Sequence, residues 1–118
     1  MPADPTGCLF CRIAAREAPA DIVHASDTVV AFRDMHPRAP THVLLIPREH
    51  VESAADLGPP HAGMLAELFV VAAHVAKAER IDRSGWRLVS NVGPGAGQSV
   101  FHLHFHLLGG RALGWPPG

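Results

Sequence analysis

Three histidines alternate with apolar residues in His102-Leu103-His104-Phe105-His106-Leu107-Leu108. In an extended chain, alternate side chains share one face, about 7 Å apart. The pattern therefore predicts three imidazoles on one face, with Leu103, Phe105 and Leu107 turned to the core. Strand stability has no use for such a row. Neutral imidazole near pH 7 serves as a nucleophile, a base or a metal ligand. The bland alternative is a solvated face that happens to be rich in histidine, and the strict apolar alternation counts against it. Immediately upstream runs Asn91-Val92-Gly93-Pro94-Gly95-Ala96-Gly97-Gln98-Ser99. It is not a Walker loop, because no Gly-Lys-Ser/Thr follows, and Gln98 stands where a GxGxxG motif needs its third glycine. Glycines let backbone N–H groups approach an anion closely. Gln98 and Ser99 add side-chain donors. The combination predicts a phosphate cradle beside a nitrogen nucleophile.

Two cysteines lie three apart, in Cys8-Leu9-Phe10-Cys11. They are a poor disulfide framework for a secreted domain, so the expected compartment is a reducing cytoplasm. Cys8 and Cys11 could be small buried hydrophobes, a redox pair or half of a zinc site. No strand precedes them, which disfavours a thioredoxin-like role.

The elements that must position these groups follow from periodicity. Phe10, Ile13 and Ala14 recur at helical spacing, predicting a short helix within 8–16 that ends before Pro19. Extended structure begins at Ile22-Val23-His24, and β-branched strands are expected at 28–32 and 42–46. The segment 34–40 holds two prolines and reads as a loop. A long helix should start near Gly58-Pro59-Pro60 and run to about Arg80, with Met64, Leu68, Val71, Ala72 and Val75 in its apolar stripe. Strands are expected at 86–90 and 100–108. This order predicts an α+β fold, an antiparallel sheet with the helices on one side.

Composition bounds the function. The chain has 118 residues, 47% hydrophobic, which fits one domain. Residues 1–7 are expected to be disordered. A net charge of -1 argues against a protein that coats a nucleic-acid polymer. The longest apolar stretch, 69–76, is far short of the ~20 residues a spanning helix needs, so no membrane partner is expected. Segment 1–7 lacks the basic and apolar parts of a signal peptide. Histidine is the anomaly, with nine residues.

The whole pattern resembles the histidine triad (HIT) superfamily, in its Hint branch. The His-φ-His-φ-His-φ-φ motif is matched at 102–108 without a gap, preceded by Gly97-Gln98-Ser99-Val100-Phe101. Gly109-Gly110-Arg111 and Leu113-Gly114-Trp115-Pro116-Pro117-Gly118 follow it. Phe32-Arg33-Asp34, Pro37-Arg38-Ala39-Pro40-Thr41-His42 and Ile46-Pro47-Arg48-Glu49-His50 match the family's central loop, strand and next turn. The resemblance implies a five-stranded antiparallel sheet with one long and one short helix, continued across a homodimer.

It also implies hydrolysis of purine nucleoside 5'-phosphoramidates and aminoacyl-adenylates. His104 would be the nucleophile, forming a nucleotidyl-histidine that water cleaves. His106 would help hold the phosphate, Ser99 the departing amine, and Asn91, Gly97 and Gln98 the phosphate and leaving-group side. Asp34 would accept from both ribose hydroxyls. Phe10, Ile13, Phe32 and Leu44 would sandwich the base, in a pocket loosened by Ala18, where relatives often have Ile. His42 is read as a buried neighbour that orients the triad. In a subset of similar proteins two Cys and two His bind structural zinc, which implies Cys8, Cys11, His50 and His102 as ligands, with His102 shared between metal and triad. No organic cofactor is expected. His24, His36, His61 and His74 are read as histidines without a role, and Trp115 as a residue of the dimer interface. Two other readings are a dinucleoside polyphosphate hydrolase and a non-catalytic purine-nucleotide or zinc scaffold.

Overall fold

The computed structural model describes residues 7–118; the expectation for 1–7 therefore concerns mostly residues outside the described ones. The chain runs α1 (Leu9–Ala14), β1 (Ile22–Ala25), β2 (Val29–Arg33), β3 (Thr41–Pro47), α2 (Ala62–Ala78), β4 (Trp86–Val89) and β5 (Phe105–Gly109). The five strands form one antiparallel sheet in the order β1-β2-β3-β5-β4. The α+β class and the long and short helix are as expected from the sequence. No helix is long and apolar enough to cross a membrane among the described residues.

The helices do not share one side of the sheet. Val29, Ala31, Val43, Leu45 and Leu107 pack with Leu68, Val71, Ala72 and Val75 of α2. The residues of opposite parity, Val30, Phe32, Leu44 and Ile46, pack with Phe10, Ile13 and Ala14 of α1. Every residue of β3 is buried as a result. A sheet covered on both faces reads as an unbroken apolar run rather than an alternation.

The last strand is also shorter than expected. β3 and β5 pair from Thr41↔Gly109 to Leu45↔Phe105. The same register would set Ile46 opposite His104 and then Pro47 opposite Leu103, where proline has no N–H to give the ladder. Instead Leu103 N–H donates to Val51 O at 2.6 Å. Phe105 and Leu107 face α2 as expected. Only His106 of the three histidines lies in the ladder, opposite Leu44 and therefore on the α1 face.

Long-range contacts brace these layers. Arg33 at the end of β2 donates Nη1 and Nη2 to the two carboxylate oxygens of Glu79 past the end of α2, at 2.8 and 2.9 Å. Those bonds hold the Glu79 carboxyl below the usual range. The Arg48 guanidinium donates to Ser26 O and Ala14 O, both at 2.7 Å, tying the end of α1 to the sheet. α2 is entered through a turn at Pro59–His61, where Gly58 N–H donates to His61 Nδ1 at 3.0 Å. His61 thus has a structural task that the sequence reading did not give it.

Candidate active site

The site grows from the α1 face of β3 and β5. His42 on β3 and His106 on β5 approach with ring centroids 5.2 Å apart and Nε2 to Nδ1 at 2.9 Å. Arg38 N–H donates to His42 Nδ1 at 3.0 Å, so the His42 proton sits on Nε2 and is donated to His106 Nδ1. His106 then carries its own proton on Nε2. Asp34 Oδ2 lies 3.5 Å from His42 Nε2, while Oδ1 accepts from His36 N–H at 2.7 Å. Burial holds the His42 and His106 rings neutral. It lowers the His106 pKa to about 4, with His104 and His42 adding repulsion and Asp34 opposing.

His104 lies one residue before the ladder. Its Nδ1 donates to the main-chain carbonyl of His102 at 2.7 Å. That bond fixes the tautomer and leaves Nε2 with a free lone pair. The ring is buried, edge-on to Phe10 at 5.2 Å and 5.0 Å from the His106 ring. A nitrogen with a lone pair thus stands beside an imidazole with an N–H to donate.

Two clefts meet at Asp34 and His36, and His106, the neighbour of His104, lines the second of them. One, of about 470 Å³, is mostly apolar; Phe10, Ile13, Phe32 and Leu44 line it, with Asp34 and His36 at its edge. Ala18 packs against the same apolar cluster. The other, of about 460 Å³, is lined by Asp34, His36, Arg38, His42, Asn91, Gly97 and His106, and by Pro117 of the C-terminal tail. Asp34 and His36 belong to both, so an aromatic group in the first cleft and an anion in the second would meet at the Asp34 carboxylate. Sequence reasoning missed His36, Arg38 and Pro117. Arg38 and Pro117 stand in segments that carry the family resemblance, but only the fold brings them and His36 to the cleft. Trp115 is 83% exposed in the single chain.

The glycine loop differs from its expected form. The N–H groups of Ala96, Gly97 and Gln98 close onto Gly93 O and Pro94 O at 3.0–3.2 Å, in a tight turn that needs the left-handed Gly97 (φ +97°). They do not form an open nest. The Gln98 side chain is buried and fully engaged: Oε1 accepts from Gly93 N–H, and Nε2 donates to Glu52 O and Val100 O. It braces the loop instead of offering donors to a ligand. Ser99 lines a separate cleft with Cys8, His50 and Phe101.

That third cleft borders the cysteine pair. Cys8 and Cys11 are free thiols. Cys8 Sγ lies 3.3 Å from His102 Nδ1, and Cys11 Sγ lies 3.2 Å from His50 Nδ1 and 3.5 Å from His102 Nδ1. All four donor atoms lie within 4.8 Å of one another. His102 Nε2 donates to Pro47 O at 2.8 Å, which leaves its Nδ1 unprotonated toward the sulfurs. His50 Nε2 is buried without a partner. Asp34, His42 and His106 also lie close enough to hold an ion. However, the Arg38 N–H on His42 Nδ1 keeps a proton on the nitrogen that would have to ligate.

Comparison with known proteins agrees with this geometry. The HIT domain profile matches residues 15–113. The chain is 45% identical over 106 residues to the purine nucleoside phosphoramidase of Escherichia coli K12, covering 90% of this chain and 89% of that protein. It is 43% identical over 117 residues to the 14 kDa zinc-binding protein of Zea mays, covering 98% and 91%. The crystal structure of a HIT family hydrolase from Legionella pneumophila superposes with a TM-score of 0.93 at 46% identity, covering 95% of this chain and all of that one. The chain belongs to the HIT family.

Proposed function

We propose that this chain is a single-domain hydrolase of nucleoside 5'-phosphoramidates and aminoacyl-adenylates that works through a nucleotidyl-histidine. The observation that carries the reading is the tautomer of His104, whose Nδ1 proton is tied to His102 O at 2.7 Å. The base enters the apolar cleft between Phe10, Ile13, Phe32 and Leu44, and Asp34 accepts from the ribose hydroxyls. The phosphate then lies in the polar cleft with Asn91, Gly97 and His106, on a loop braced by Gln98. His104 Nε2 attacks the α-phosphorus; in a phosphoramidate the P–N bond breaks and the amine leaves with the bonding pair, taking a proton from solvent, and in an aminoacyl-adenylate the P–O bond breaks and the carboxylate leaves. The His106 Nε2–H stabilises charge on the phosphoryl oxygens, an interaction that strengthens in the transition state. Ser99 is assigned the departing amine by the family resemblance, and it lines the neighbouring cleft with Cys8, His50 and Phe101. Water then cleaves the His104–phosphorus bond and releases the monophosphate. Splitting one displacement into two lowers the barrier of each. The phosphoramidase from Escherichia coli, at 45% identity, supports this substrate class.

His104→Asn tests the reading. Turnover of a fluorogenic adenosine phosphoramidate is expected to fall at least about a thousandfold, with nucleotide binding kept within a few-fold. Quenched wild-type enzyme should carry an adduct of nucleoside monophosphate mass on the peptide containing His104. An adduct elsewhere, or an active His104→Asn, overturns the assignment.

Cys8, Cys11, His50 and His102 are read as a structural zinc site. A tetrahedral ion with bonds near 2.3 Å to sulfur and 2.05 Å to nitrogen separates the two atom types by about 3.6 Å. The observed 3.2–3.5 Å fits that spacing. The His102–Pro47 bond is the outer contact that orients a ligand ring. Four protein ligands leave no open position, so the ion would supply cross-linking and no chemistry. Free thiols arranged for a metal fit a reducing cytoplasm. We also propose a homodimer that continues the sheet. β4 is an edge strand, and Phe69 and Val70 of α2 are 51% and 68% exposed. Such edges and apolar faces are ordinarily covered.

A further inference from the structure

His102 takes part in two sites at once. Its fully buried ring faces Cys8 and Cys11 with Nδ1 and Pro47 O with Nε2. Its main-chain carbonyl holds the Nδ1 proton of His104. That carbonyl lies upstream of β5, whose first ladder pair is Leu45↔Phe105. No ladder bond therefore fixes its direction. The neighbouring Leu103 N–H is tied to Val51 O, which anchors one side of the segment. The other side is anchored through the His102 ring. Where that ring is held decides where the carbonyl points.

We propose that the cluster of Cys8, Cys11, His50 and His102 positions the nucleophile. With the cluster closed, the His102 carbonyl keeps His104 in the tautomer whose Nε2 lone pair can attack. With the cluster opened, the ring loses its sulfur contacts and the peptide can turn. His104 then also populates the tautomer with the proton on Nε2, which cannot attack phosphorus. His102 is in this account a positioning residue, not a catalytic one, although it belongs to the triad motif. The inference rests on the nucleotidyl-histidine reading and deepens it. The ordinary alternative is a cluster that only adds stability by fastening α1 to the sheet.

The test compares the zinc-loaded wild type, the same protein after chelation, and Cys11→Ser. Each is labelled with ¹⁵N-histidine, and the His104 signals are assigned by their absence in His104→Asn. In the loaded wild type, His104 should show an unprotonated Nε2. In both opened states that signal should move toward the protonated position. Turnover should fall about ten- to a hundredfold, the loss expected when a reacting group is misplaced by about an ångström. KM and the affinity for adenosine monophosphate should stay within a few-fold, and zinc added back to the chelated protein should restore both signal and rate. An unchanged His104 signal and rate after opening the cluster overturns the proposal. So does a joint loss of kcat, substrate affinity and melting temperature, which is the mark of a merely structural cluster. If Cys11→Ser does not fold, the chelated wild type decides alone. Absence of turnover in the loaded wild type would instead sink the proposed function, and the His104 signal would still decide whether the cluster sets its tautomer.

Discussion

At the scale of residues, the site depends on imidazoles held neutral by burial. Burial is the main cause that lowers His42 and His106, and for His106 the value falls to about 4 from 6.5. Between those values the unfolded chain binds protons that the folded site refuses. The unfolded state is therefore favoured as pH falls through that window, and stability rises with pH across it. For His106 the cost is absent above about pH 6.5 and complete below about pH 4, and burial of His42 acts in the same direction. The urea midpoint is expected to drop steadily from pH 7 to pH 4.5, and less steeply in His106→Asn. A flat profile in the wild type would contradict the neutral site. The residue types of this site were legible in the sequence, because alternation in 102–108 has no other use. The bonds that set each tautomer were not. They come from Arg38 N–H and the His102 carbonyl, main-chain groups that every sequence possesses. The bracing bonds of Gln98 were not legible for a related reason, since its partners Gly93, Glu52 and Val100 are chosen by the loop's path.

At the scale of elements, β5 must fit between β3, β4 and the turn that follows α2. A Cβ on Gly109 would lie 2.5 Å from Ile81 Cδ1, and 3.3 Å from both Ile81 Cβ and Gly85 O. Gly109→Ala is expected to cost about 1–3 kcal/mol by overpacking, read from urea unfolding. Ile81→Val removes the nearest atom and should recover part of that loss in the double mutant, more than additivity allows. Most elements were legible within a few residues, since helical and alternating patterns are strong in 9–14, 29–33 and 62–78. Which side of the sheet α1 covers was not. Its stripe of Phe10, Ile13 and Ala14 announces burial without saying against what. The apolar run Val43-Leu44-Leu45-Ile46 held the clue, because a strand apolar at every position needs cover on both faces. The early end of the β5 ladder was hidden for another reason. It depends on Pro47, a residue on a different strand.

At the scale of the whole molecule, the exposed Phe69 and Val70 and the open edge of β4 are the grounds for the proposed homodimer. Sedimentation at micromolar concentration should give twice the 12.6 kDa chain mass; a monomer mass would refute the continued sheet. The layers on the two faces of the sheet are unequal. α2 has 17 residues and α1 only 6, yet α1 supplies Phe10 and Ile13 to the apolar cleft proposed for the base. Amide hydrogen exchange should therefore separate the molecule into two cooperative units. α2 and β3 should exchange only through global unfolding, and α1 through a lower-energy opening that leaves the sheet intact. A bound nucleoside monophosphate contacts only the closed form, so it should slow exchange in α1 in proportion to ligand occupancy. Release of the product monophosphate would then share its transient opening with α1, and the shorter of the two described α-helices would limit how fast the site empties.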